Sequence, residues 1–214
     1  MQNTSNLLIY LASASPRRSA LLTQIGVEHR IRPVDVDEQI GPAESPAQYV
    51  ERLAVLKAET LWEQLAESER RPVLGSDTTV AIGDEVLAKP LSERDGLRML
   101  RLLSGRTHQV YTAVALRHAA GCAARVSVSD VAFRRLSEEE CDAYWRSGEP
   151  ADKAGGYAVQ GRAAVFIERI SGSYSGIMGL PLYETGELLR GIGWRIDGEH
   201  CPPGRGNDAA RVHG

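Results

Sequence analysis

The chain has 214 residues, 43% of them hydrophobic and 25% charged, with a net charge of −3 and a pI near 6.0. That is enough apolar material to bury a substantial core as one α/β unit or two closely joined lobes. It excludes a global basic field for gripping a nucleic-acid polymer, and no apolar run approaches the roughly 18 residues of a membrane span.

In chain order, short strands alternate with helices. Leu7–Ala12 is a continuous apolar run that reads as a strand buried on both faces. Ser13-Ala-Ser-Pro-Arg-Arg18 follows, with Ser15 as N-cap and Pro16 at the first position of a helix that closes at Gly26. Ser45-Pro46 announces a second helix to about Leu65. Val73-Leu74 leads into Gly75–Ile82, a strand with polar residues at its start. Ser92 with Asp95 forms a capping box for a helix from Glu93 to Leu103. His108–Arg117 and Arg125–Arg135 read as a strand pair around Ala119-Ala-Gly121. Ser137 with Glu140 caps a helix to Gly148; Ala163–Ile170 is expected as a strand, Leu182–Leu189 as a helix and Gly193–Ile196 as a short last strand. One domain over residues 1–197 is expected, followed by a Pro-, Gly- and charge-rich tail, 198–214, expected to be disordered.

Cys122, Cys141 and Cys201 form no C-x-x-C pair and no zinc spacing, and the N-terminus lacks a secretory pattern, so a cytoplasmic protein is expected. Only three lysines occur against 22 arginines: Lys57, Lys89 and Lys153. Where arginine serves for plain positive charge, lysine persists where a compact, flexible ammonium is needed. All three sit in segments that read as chemical.

Four segments carry that chemistry. Ser13-Ala-Ser-Pro-Arg-Arg18 places hydroxyls and two guanidiniums at a helix N-terminus, where free N–H groups and the dipole favour an anion. It is not a Walker A loop. On the second helix, Val50, Leu53, Ala54, Ala58 and Leu61 form one apolar stripe with Lys57 in its middle. A lysine there either meets a counter-anion or snorkels to water. Asp77, at the start of an apolar strand, needs partners; it can bind a divalent ion or take a proton from water, with Glu38 as a second carboxylate and Lys89 opposite a phosphate. Asp152-Lys-Ala-Gly-Gly-Tyr-Ala-Val-Gln-Gly161 lets backbone approach a ligand, and Gln160 can read the polar edge of a base.

Ser13-Ala-Ser-Pro-Arg-Arg18, Ser76-Asp-Thr78, Leu87-Ala-Lys-Pro90, Leu103-Ser-Gly105 and Gly179-Leu-Pro-Leu182, in this order, resemble the Maf family of nucleoside triphosphate pyrophosphatases. The likeness runs from Leu7 to about Trp194, and the segment ending in Gln160-Gly161 is similar to the branch acting on dTTP and UTP. The resemblance implies an ITPase-like α/β fold: a mixed twisted sheet with flanking helices and a deep central cleft between two lobes. It implies hydrolysis of a nucleotide to its monophosphate and pyrophosphate with Mg²⁺ or Mn²⁺ held by Asp77 and Glu38. Asp77 would accept the proton; Arg17, Thr78 and Gln160 would fall on specificity positions; Ser13, Arg18, Glu38, Lys57 and Lys89 would line the cleft. Ser76 stands where the family often has Ala, a change expected to matter little. A homodimer is compatible with the family. The alternatives are action on 7-methylguanosine triphosphate and a non-enzymatic role regulating septum formation.

Overall fold

The computed structural model describes residues 7–83 and 85–196. The tail expectation, and Cys201 with it, lies outside the described residues.

Seven strands form one mixed sheet. β1 (Ile9–Leu11) runs parallel to both β2 (His29–Ile31) and β3 (Val73–Ile82). β5 (Thr107–His118) pairs antiparallel with β3, β6 (Gly121–Phe133) with β5, and β7 (Ile167–Ser171) with β6. β4 (Glu85–Leu87) lies antiparallel to the far end of β3. The spatial order is β2-β1-β3-β5-β6-β7.

β3 positions the site because its neighbours change along its length. On one edge it pairs with β1 only at Val73 and Leu74, and with β4 only from Val80 to Ile82. Gly75 to Thr79 therefore face an open edge just beyond the carboxyl end of β1, where α/β sheets hold ligands. The other edge stays continuously paired to β5, which holds the segment in place beside the cleft.

Helices cover both faces. α2 (Pro46–Gln64) starts at a full capping box, Ser45 Oγ accepting from the Gln48 N–H while the Gln48 side-chain Oε1 accepts from the Ser45 N–H. Its stripe packs Val50, Leu53, Ala54, Ala58 and Leu61 against Val73, Ala113 and Ala115. The approach is close: a Cβ on Gly75 would lie 2.2 Å from the Ala54 carbonyl oxygen. On the opposite face α1 (Pro16–Gln24) and α6 (Leu182–Arg190) pack Leu21, Leu22, Leu188 and Leu189 against Leu74, Val114 and Leu116. α3 (Glu93–Leu103) and α4 (Glu138–Arg146) cover the far end of β3 through Leu100, Leu103 and Tyr144. α5 (Tyr174–Met178) is a single short turn of helix beside β3 and β5.

Several sequence expectations change. Ala163–Phe166 is not strand: Arg162–Phe166 is a 3-10 helix, and β7 begins only at Ile167. The N–H groups of Arg162 and Ala163 point to the Glu149 carboxylate instead of a neighbouring strand. Gly193–Ile196 is not strand either. Gly193 has a positive φ of 92°, and the Trp194 N–H returns to the Leu189 carbonyl, so the segment finishes α6 as a turn that buries Trp194. β2 and β4, of three residues each, and the five-residue α5 escape periodicity because each is shorter than the window over which a strand or helix period can be counted. Asp95 fills only half of its capping box: its N–H reaches Ser92 Oγ, but its carboxylate takes the Leu91 N–H.

Candidate active site

The cleft opened by the gap on β3 has a volume of about 660 Å³. Its walls come from the β1–α1 turn, the loop bearing Glu38, α2, β3, the segment after β4, the glycine-rich loop 152–160 and the end of α5. Ser13, Arg17, Arg18 and Thr78 line one side, Glu38, Lys57 and Asp77 the floor, and Lys89 and Gln160 also line it. Every candidate residue named from the sequence is thus brought to one cavity. All three lysines are there too: Lys153 lines the cleft and donates to the Glu149 carbonyl at 3.0 Å.

At the floor, the Lys57 ammonium lies between two carboxylates, 2.7 Å from Asp77 Oδ1 and 2.6 Å from Glu38 Oε1. Lys57 is 8% exposed and Asp77 7%, so the buried lysine has found its counter-anions rather than snorkelled to water. Burial pushes the Asp77 carboxyl up, against the charges of Lys57 and Arg18 and the Lys57 hydrogen bond, which act to lower it. For Glu38 burial also opposes the charged form. There the Lys57 hydrogen bond and the charges of Lys57, Lys89 and Arg18 win, and the carboxyl is held below its usual range. One acid is poised to take a proton more readily than the other, a separation of roles suited to acid–base work.

The anion side is built on the start of α1. Ser15 is the N-cap residue and Pro16 follows, yet the Ser15 side chain makes no capping bond. The helix start is therefore open to an anion. Arg18 is fixed from three directions, donating to the Gly179 carbonyl at 2.8 Å, Ser13 Oγ at 3.0 Å and Thr78 Oγ1 at 3.4 Å. Arg17 Nε donates to the Met178 carbonyl at 3.3 Å. Thr78 in turn accepts from Thr112 Oγ1 at 3.0 Å.

Sequence reasoning missed several of the groups that arrange this site. The carbonyls at the end of α5 orient both arginines. Ser76 Oγ lies 2.9 Å from the Gly179 carbonyl and 2.8 Å from that of Ala113, pinning α5 to β3 and β5. The expectation that Ser76 matters little did not anticipate this contact. Tyr49 lines the cleft and donates its hydroxyl to the Glu38 carbonyl at 2.9 Å, its phenol pushed up to about 12 first by burial. It stands two turns before Lys57 on α2, so the helical period would have reached it.

A family model described as Maf-like protein matches residues 8–192. A dTTP/UTP pyrophosphatase of Saccharophagus degradans is 55% identical over 183 residues, covering 85% of this chain and 87% of its own. One of Hahella chejuensis is 48% identical over 194 residues, covering 91% and 96%. One of Alkalilimnicola ehrlichii is 52% identical over 184 residues, covering 85% and 91%. Among solved structures, the Ham1 protein of Staphylococcus aureus is similar at 16% identity with a TM-score of 0.43, over 61% of this chain and 72% of that one.

Proposed function

The chain belongs to the Maf family, and from that premise we propose that it is a dTTP/UTP pyrophosphatase, a hydrolase that cuts these nucleotides to the monophosphate and pyrophosphate. The observation that carries the reading is the buried Lys57 ammonium shared by Asp77 and Glu38 at the floor of a cleft whose wall is a helix start with two fixed arginines. An acid for proton transfer, a second carboxylate and a cationic anion cradle face one another, which is what hydrolysis of a phosphoanhydride requires.

The triphosphate lies over the start of α1, where Ser13, Arg17 and Arg18 take phosphate oxygens and Lys89 spreads the remaining charge. Asp77 orients a water and accepts its proton as the water oxygen bonds to the α-phosphorus. The bond from that phosphorus to its bridging oxygen breaks, and pyrophosphate leaves with the electron pair, held by the cations. The Lys57 charge and hydrogen bond favour the anionic, proton-accepting form of Asp77, while burial pushes its carboxyl up.

The donor set fits a hard divalent cation. Among the described residues no group of three or more His, Cys, Asp or Glu is placed to hold a metal. Mg²⁺, however, characteristically takes one or two carboxylates and completes its shell with phosphate oxygens and water. Asp77 and Glu38 each give one oxygen to Lys57, leaving a second for a cation that arrives with the nucleotide. Bound Mg²⁺ or Mn²⁺ would polarise the α-phosphorus and offset the charge of the phosphates. On the base side, Gln160 selects uracil or thymine, while Thr78 holds Arg18 on the phosphate side. Removing surplus or non-standard pyrimidine nucleotides in the cytoplasm is the role that follows. Among the described residues no helix is long and apolar enough to cross a membrane.

The test is pyrophosphate release from a panel of canonical and modified triphosphates with Mg²⁺ or Mn²⁺, for wild type and Asp77→Asn. Release from dTTP and UTP should fall by on the order of 10²–10⁴-fold in the variant, the contribution of a positioned general base. Release confined to 7-methylguanosine triphosphate, or none from any nucleotide, would overturn the reading.

A further inference from the structure

Glu149 is not among the side chains that line the cleft, yet its carboxylate ties down the loop that carries Gln160. Oε1 accepts from the Tyr144 hydroxyl at 2.8 Å and from the Ala163 N–H at 3.5 Å, and Oε2 from the Arg162 N–H at 3.0 Å. The same Tyr144 oxygen accepts the Ala158 N–H at 3.2 Å. The Glu149 carbonyl accepts from Lys153 Nζ. One residue and its buried tyrosine partner thus hold the backbone two positions before Gln160 and two positions after it. Gly161 records how tightly: a Cβ there would fall 2.3 Å from Glu149 Oε1, so position 161 stays glycine as long as the carboxylate stays in place.

Such a clamp has a use. A glutamine carboxamide carries one acceptor and one donor group, and a half-turn about its last torsion exchanges them. Uracil and thymine show an N–H flanked by carbonyls; cytosine shows a bare nitrogen beside an amino group. Holding the backbone does not stop that half-turn, but it fixes how far the carboxamide reaches, so that one base edge meets it at bonding distance better than the other. Gln160 is itself exposed on the cleft wall, and its constraint comes from the flanking N–H groups.

We infer that Glu149 is a positioning residue for base selection, holding Gln160 in register through the Ala158 and Arg162 N–H groups. The inference rests on Gln160 being the residue that meets the base.

The experiment compares kcat and KM for dTTP, UTP and CTP in wild type, Glu149→Ala, Glu149→Gln, Gln160→Ala and the Glu149→Ala/Gln160→Ala double variant. Gln160→Ala should lower the preference for UTP over CTP about tenfold, the effect of one lost hydrogen bond to the base. Glu149→Ala should lower it as far, through a raised KM for UTP with kcat within about twofold. Glu149→Gln keeps an oxygen for Tyr144 and should restore part of the preference; it also carries the test if the alanine variant does not fold. The double variant should be no less selective than Gln160→Ala alone. A preference lost in Gln160→Ala but intact in both Glu149 variants would overturn the inference, as would losses that multiply in the double variant. A preference unchanged in Gln160→Ala would instead remove the reading of Gln160, and the inference with it.

Discussion

Lys57 shows how a single side chain can organise a site from within a core. Its stem belongs to the apolar stripe of α2, and its ammonium ends between Asp77 and Glu38. Removing Lys57 would cost on the order of 3–5 kcal/mol, as for other broken buried pairs, because the buried Asp77 carboxylate loses its ion-pair partner. His108 presents the opposite case, a buried titratable group with no charge beside it. It is 1% exposed, its Nε2 lies 2.8 Å from the Tyr157 hydroxyl, and its ring meets Phe133 edge-on at 5.0 Å. Burial pushes its pKa down from 6.5 to about 4. The folded protein therefore holds a neutral ring at pH values where the unfolded chain takes a proton. Stability from this group is complete above about 6.5, falls as the pH drops toward about 4 and is flat below that, a total of about 3 kcal/mol. Urea midpoints measured between pH 4 and 7 should decline with acid in wild type and decline less in His108→Phe. Equal slopes would assign the acid sensitivity to other groups.

At the level of elements, the distance between α2 and β3 decides whether Lys57 reaches Asp77. That distance is set at Gly75, where a Cβ would meet the Ala54 carbonyl at 2.2 Å and the Ala58 nitrogen at 2.9 Å. Both are backbone atoms of a helix and cannot turn aside. Gly75→Ala should therefore push the helix off the strand, costing about 1–3 kcal/mol of stability as other overpacked cores do. It should also cut kcat by more than any loss of folded protein explains, because a catalytic geometry displaced by about 1 Å loses roughly 10²-fold. Calorimetry beside single-turnover kinetics would separate the two; a variant that is destabilised but fully active when folded would refute the link. α5 makes the complementary point. Five residues long, it contributes little core, yet its terminal carbonyls aim Arg17 and Arg18.

Across the whole molecule, charge is distributed against its own average. The chain carries −3, while the cleft is lined by five cationic side chains, Arg17, Arg18, Lys57, Lys89 and Lys153, and by three carboxylates, Glu38, Asp77 and Asp152. An acidic protein therefore presents a locally positive cavity, and low-dielectric walls focus that field on an anionic ligand. Raising salt from 0.1 M to 1 M shortens the screening length from about 10 Å to about 3 Å. KM for UTP should rise several-fold over that range while kcat changes little, since the Lys57–Asp77 pair is buried. A KM indifferent to salt would mean that binding depends on direct contacts alone.

Much of this was legible in the residues themselves. The stripe on α2 with a lysine in it, the serines and arginines ahead of Pro16, and the acid at the start of an apolar strand each announce local chemistry, because helix period, capping and the cost of burying charge act over a few residues. The hairpin of β5 and β6 was legible for the same reason, its strands joined across Ala119 and Ala120. What lay beyond reach depends on contacts between distant parts of the chain. Arg18 and Gly179 are 161 positions apart, Lys57 and Asp77 are 20, and Ser76 and Gly179 are 103. Residue order alone settles which side chains carry charge, hydroxyls and amides, and on which helix face or strand they fall. It takes the folded chain for β1 to release the edge of β3 after Leu74 and for β4 to take it again at Val80. The near end of that gap is fixed by the pairing of Leu11 with Leu74, a contact between segments tens of residues apart, and the gap is what turns scattered motifs into one cleft.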